Sequence, residues 1–155
     1  VDSLKDTTIE TIAAARKLNV AVTIITGDAL MVAEAVGREA GLVTSSDEVM
    51  KAAQFLALPI QEQFKRISTI RVFARTTPEQ KLQLIELLKK QYTVGFLGEG
   101  INDAPALKAA HIGIAMGKRG SALARSTASL ILTDDDLSKM VDAIAMDELA
   151  VMEVR

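Results

Sequence analysis

The 155 residues carry 18 basic against 20 acidic side chains, a net charge of −2, and no basic stripe, so the electrostatic footprint of a nucleic-acid binder is missing. The chain has no cysteine, which excludes disulfides and thiolate metal sites and fits a reducing compartment. Hydrophobic residues make up 49% but aromatics only 3%, so Val, Ile, Leu and Ala must build the core of what reads as one compact domain. No apolar run comes near the roughly 20 residues that span a bilayer. No signal peptide is visible, and the chain itself reads as soluble and cytoplasmic.

Short apolar runs alternate with helical patterns. The capping-box spacing of Thr7-Thr8-Ile9-Glu10 predicts a helix to about Leu18, and Val20 to Ile25 reads as a buried strand. Asp28 is placed to cap a helix in which Ala29, Val32, Ala33, Val36 and Ala40 share one face and Gly41 supplies the stop. Ser46 or Asp47 is expected to cap a helix through about Leu58, which Pro59 interrupts. Ile70 to Ala74 follows as a strand, and Pro78 opens a helix with a core stripe of Leu82, Ile85 and Leu88, ending in Lys89-Lys90. Val94 to Leu97 is the next strand, Ala104 to Ala110 a short helix and Ile112 to Met116 a strand. Ser121 to Thr127 reads as a short helix, Ser129 to Leu132 as a strand and Leu137 to Val154 as a long last helix. This rhythm predicts an α/β domain with a parallel, doubly wound sheet.

Three stretches carry chemistry. Gly98-Glu99-Gly100-Ile101-Asn102-Asp103-Ala104-Pro105-Ala106-Leu107-Lys108 puts two carboxylates four residues apart in a glycine-rich turn at a strand's carboxyl end, where open α/β sheets hold ligands. Glu99 and Asp103 offer the hard oxygens that Mg²⁺ needs, and Asn102 an amide donor for a phosphate oxygen. The plainer reading is a turn followed by a helix that Asp103 caps. Thr26-Gly27-Asp28, at a strand-to-helix turn, offers a hydroxyl, a backbone amide and a helix N-terminus to a phosphoryl group, or a simple helix cap by Asp28. Lys81 falls in the first turn of a helix, opposed to the macrodipole, which a nearby anion would resolve; otherwise it is a solvated lysine. His111, the only histidine, reads as structural, and Asp134-Asp135-Asp136 as a helix cap.

Taken in order, Thr26-Gly27-Asp28, Ala74-Arg75-Thr76-Thr77-Pro78-Glu79-Gln80-Lys81 and the 98–108 stretch resemble the cation-transporting P-type ATPases. The likeness runs from Asp2 to about Val154 and falls on the C-terminal part of their phosphorylation domain. It implies a Rossmann-like, haloacid-dehalogenase-like parallel sheet flanked by helices over residues 1–155, with 137–155 a terminal helix leading toward the membrane stalk. It also implies a reaction. The γ-phosphoryl of ATP passes to an aspartate, and the acyl phosphate is later hydrolysed with Mg²⁺ as cofactor, driving cations through membrane helices. By position, Thr26, Gly27, Lys81 and Asn102 would bind the phosphoryl group, Glu99 would ligate Mg²⁺ and Asp103 would support that site. Asp28 would shape the pocket, and the catalytic residues would be Lys81, Asp103 and Thr26. The expected partners are ATP, held by a nucleotide-binding domain absent from this sequence, the rest of the pump and the transported cation, at the cytoplasmic face of a membrane.

The departures are specific. The family's nucleophile lies in Asp-Lys-Thr-Gly-Thr, which does not occur here, so the chain is expected to lack the strand that carries it and to be inactive alone. That strand is central in the family's sheet, and the edges flanking its place need another partner. Glu99 stands where the family usually has Asp. These features motivate an alternative, a degenerate non-catalytic module that binds Mg²⁺ or phosphate and regulates a partner.

Overall fold

The computed structural model describes residues 12, 13, 15, 17, 20–98, 104–115, 128–134 and 150–153. Residues 12, 13, 15 and 17 are helical. Strand β1 (Ala21–Thr26) leads into helix α1 (Leu30–Glu39), and Gly41, at φ 78°, supplies the left-handed stop. A 3-10 turn (Ser46–Glu48), β2 (Val49–Lys51), α2 (Ala52–Leu56) and α3 (Ile60–Arg66) follow. Then come β3 (Val72–Ala74), α4 (Pro78–Lys89), β4 (Thr93–Gly98), α5 (Ala104–Ala109) and β5 (Ile112–Ala115). The remaining described elements are β6 (Ala128–Asp134) and β7 (Ala150–Glu153).

The strands form one sheet in the order β2-β3-β1-β6-β4-β5-β7. β2, β3 and β1 are mutually parallel, as are β4 and β5. β6 runs antiparallel to both β1 and β4, so those two strands also run the same way. All five parallel strands therefore end at one edge of the sheet, as the α/β reading requires. The central place beside β1, for which the sequence leaves no parallel strand, is taken by β6, whose Ile131 is fully buried.

Period-2 alternation divides the core. Ile24 pairs with Val72, and on that face α1 packs its buried Ala33, Val36 and Gly37. Packing there is close enough that a Cβ on Gly37 would lie 2.5 Å from Val43 Cγ2 and 2.8 Å from Val72 Cγ2. Ile25 pairs with Phe73, and with Phe96 and Ile131 it forms a cluster closed by Leu84, Ile85 and Leu88 of α4 and by Phe55, which meets Phe73 edge-on at 5.2 Å. Helices thus cover both faces.

Three local expectations are corrected. Asp28 does not cap α1: the N-cap is Ala29, without a side-chain bond, because the Thr26-to-Asp28 turn carries the chain one residue further before the helix begins. The helix expected from Ser46 to Leu58 is broken. Glu48 Oε1 accepts the Ser45 N–H while the Glu48 N–H donates to the Ser45 carbonyl, closing a single 3-10 turn, and Val49–Lys51 then pairs with β3. Ala150–Glu153 forms a strand where the end of a long helix was expected. It pairs with β5 and satisfies that strand's outer backbone groups. The expected helices from Thr7 and over Ser121 to Thr127, and the remainder of 137–155, fall wholly or largely outside the described residues.

Candidate functional site at the carboxyl edge of the sheet

β1 delivers Thr26 to the carboxyl edge with its side chain almost wholly buried, 2% exposed. Its Oγ1 accepts the Asp28 N–H at 3.1 Å, which folds the turn and leaves the hydroxyl proton free to donate. Gly27 is exposed, and a Cβ there would meet only the Thr76 carbonyl oxygen, at 3.8 Å. Neither crowding nor backbone strain requires glycine at this point, so its bare backbone leaves the edge open to a ligand.

The turn after β3 is locked onto this one. The Arg75 N–H donates to the Asp28 carbonyl at 2.9 Å, and the Thr76 N–H to the Thr26 carbonyl at 3.0 Å. Arg75 takes a left-handed φ of 50°, rare for a residue with a side chain, and the bond to Asp28 helps hold it there. Thr77 then caps α4: its Oγ1 accepts the Gln80 N–H at 3.2 Å, while its own N–H donates to Gln80 Oε1 at 3.0 Å. Pro78 occupies the first turn, as the sequence predicts.

This entry fixes where Lys81 emerges. The half-buried side chain crosses toward β4, where its Nζ lies 5.6 Å from the centroid of the buried Phe96 ring. An ammonium over an aromatic face is attracted by the ring's quadrupole. Phe96 was not singled out in the sequence. The available signal is that it is one of only four phenylalanines and stands two residues before Gly98, where β4 ends.

Thr26, Gly27, Asp28 and Lys81 are therefore brought to the edge at which β4 ends. The lateral separation follows from the strand order: β1 and β4 flank β6, two interstrand spacings apart, or roughly 10 Å. Glu99, Asn102 and Asp103 lie outside the described residues. Among the described residues no three His, Asp or Glu side chains cluster as a cation site would need.

His111 stands apart from this edge and is structural, as its isolation predicts. Its Nδ1 accepts the Val94 N–H at 2.9 Å, and its backbone N–H donates to the Val94 carbonyl at 2.9 Å. The imidazole closes the amino end of the β4–β5 pairing, with its ring proton on Nε2.

A mixed but mainly parallel sheet with helices on both faces, and polar turns gathered at the strands' carboxyl edge, is a Rossmann-like α/β scaffold, and the chain belongs to the haloacid dehalogenase-like hydrolase family. That family's model matches residues 1–111. Within the family the chain corresponds to a segment of the P-type cation-transporting ATPases. A calcium-transporting ATPase of Listeria monocytogenes is 35% identical over 147 residues, 94% of this chain and 17% of that protein. The probable cation-transporting ATPase F of Mycobacterium tuberculosis is 38% identical over 138 residues, 86% of this chain and 15% of its own. The human calcium-transporting ATPase type 2C member 2 is 40% identical over 126 residues, 81% and 13% respectively. The chain thus spans 13–17% of the length of these relatives. No described helix is long and apolar enough to cross a membrane.

Proposed function

We propose that this chain is the phosphate-handling part of an ATP-driven cation pump, working at the cytoplasmic face of a membrane with a nucleotide-binding domain and membrane helices supplied by other sequence. The γ-phosphoryl group of ATP is transferred to an aspartate that this sequence does not contain, releasing ADP. Water then cleaves the acyl phosphate to return the carboxylate and inorganic phosphate. Thr26 and the Gly27 amide hold the phosphoryl oxygens, and Asn102 donates a further hydrogen bond. Lys81 offsets negative charge as it builds in the transition state. Asp28 shapes the turn that presents Thr26 and Gly27.

Glu99 and Asp103 are the residues that would hold Mg²⁺. Their hard carboxylate oxygens, following directly on the carboxyl end of β4, suit that ion chemically. Mg²⁺ would neutralise phosphoryl charge there. The observation that carries the proposal is the pair of backbone bonds, at 2.9 and 3.0 Å, that ties the Thr26–Asp28 turn to the turn introducing Lys81. Two stretches about 50 residues apart in sequence thereby converge on one edge, as binding a single phosphoryl group requires.

The test is made in the full-length ATPase. Lys81→Ala and Asp103→Asn are expected to abolish phosphoenzyme turnover, and near-normal vanadate-sensitive ATPase activity in either variant refutes the assignment. The isolated chain, which lacks the nucleophile, is expected to release no phosphate from p-nitrophenyl phosphate.

A further inference from the structure

A cavity of about 980 Å³ opens at the opposite edge of the sheet, where β1 begins and β6 ends. It lies on the face covered by α4, and Leu88 in its wall is seven residues, or roughly 10 Å, along that helix from Lys81. It is therefore separate from the edge that gathers Thr26 and Lys81.

Its lining is built from three kinds of group. The floor holds Thr23 and Thr133, which share one face of the β1–β6 ladder as diagonal neighbours, since Thr23 pairs with Ile131. Both residues are more than nine-tenths buried, at 6% and 7% exposure. Their hydroxyls offer polar contacts at the cavity floor. Ile67 and Leu88 form an apolar wall. Arg66 and Arg71 supply two half-buried basic side chains, and Arg71 lies near enough to Glu48 for its charge to help hold that carboxyl below the usual range.

Two acids also border the space. Glu48 is turned to its own loop, accepting the Thr44 N–H at 2.7 Å, the Ser45 N–H at 3.1 Å and the Thr44 hydroxyl at 3.2 Å. Asp47 is exposed at the rim. Two guanidinium groups beside hydroxyl donors match an oxyanion, whose lone pairs they can saturate, whereas a cationic ligand would meet like charge. The apolar wall suits a hydrocarbon body next to that oxyanion.

We propose that this cavity is a second ligand site, taking a small molecule that carries one phosphate-like or carboxylate oxyanion beside an apolar body. Benzylphosphonate, which is not hydrolysed, is the probe, followed by NMR of the 155-residue chain. It is expected to shift the signals of Thr23, Thr133, Arg71 and Leu88 saturably. Methylphosphonate, lacking the ring, should bind about tenfold more weakly, and benzyl alcohol should not saturate the site. Arg66→Gln and Arg71→Gln, taken singly so that the fold is retained, should each weaken benzylphosphonate about tenfold, while Lys81→Ala leaves it unchanged. The proposal is overturned if no saturable shift reaches these residues, if both arginine variants bind as well as the parent chain, or if the shifts centre on Thr26 and Lys81.

Discussion

The Nζ of Lys81 stands 5.6 Å from the ring centroid of Phe96, so the cation assigned to the phosphoryl group rests on an aromatic face two residues from the end of β4. The relationship links the turn after β3 to the strand that leads to Glu99. An exposed or partly exposed contact of this kind is worth about 0.5–1 kcal/mol. Phe96→Leu in the full-length ATPase should therefore weaken vanadate inhibition by about two- to fivefold. Equal inhibition of the leucine variant and the parent would show that the ring does not steer Lys81.

Gly27→Ala separates folding from binding. Its Cβ would meet the Thr76 oxygen at an ordinary 3.8 Å, so thermal stability should stay within about 1 kcal/mol of the parent. Phosphate-analogue affinity should fall, because the new methyl group occupies the edge where the ligand approaches. A loss of stability with unchanged affinity would contradict this account.

Gly37→Ala makes the opposite case. Val43 and Val72 are stiff, β-branched and set against the position at 2.5 and 2.8 Å, so α1 must move away from the sheet. Denaturant unfolding should show a loss of about 1–3 kcal/mol. Stability equal to the parent would mean that α1 shifts without cost.

His111→Ala leaves the buried Val94 N–H without its 2.9 Å acceptor. The expected loss is about 1–3 kcal/mol, with no change in phosphate-analogue binding, since His111 lies at the opposite end of β4 from Gly98. A selective effect on binding would overturn its structural role.

Acid should loosen the 34–48 region. Hydrogen bonds from Arg38 and then from Ser46 hold Glu34 below the ordinary carboxylate range, and the Thr44 and Ser45 amides do the same for Glu48. A carboxylate whose folded pKa is lowered contributes stability that is complete above its unfolded value, about 4.3, and is lost as pH falls through the lower folded value. Glu48→Gln should therefore lower Tm at neutral pH and flatten its decline below about pH 4.3. Parallel Tm-against-pH curves for the two proteins would argue against the linkage.

Much of the scaffold is local enough to be legible in the amino-acid order. β1, β4 and β5 lie where uniform apolar runs put them, α4 begins at Pro78, and Gly41 ends α1. These features depend on side-chain period, a fixed proline φ or a permitted positive φ, each a property of a few neighbouring residues. The short strand β2 is not legible locally, because Val49–Lys51 has no period of its own and is a strand only by pairing with β3.

The amino-acid order alone carries the family motifs, the α/β class and the succession of Thr26, Lys81 and Glu99. Long-range packing sets β6 running backwards through the centre of the sheet, Lys81 over Phe96, and Thr23, Thr133, Arg66 and Arg71 around one cavity. The physical reason is range. Strand direction and register are chosen by hydrogen bonds and burial between segments far apart in the chain, and β6 reaches its place because the facing edges of β1 and β4 both need backbone partners that no neighbouring residue can supply.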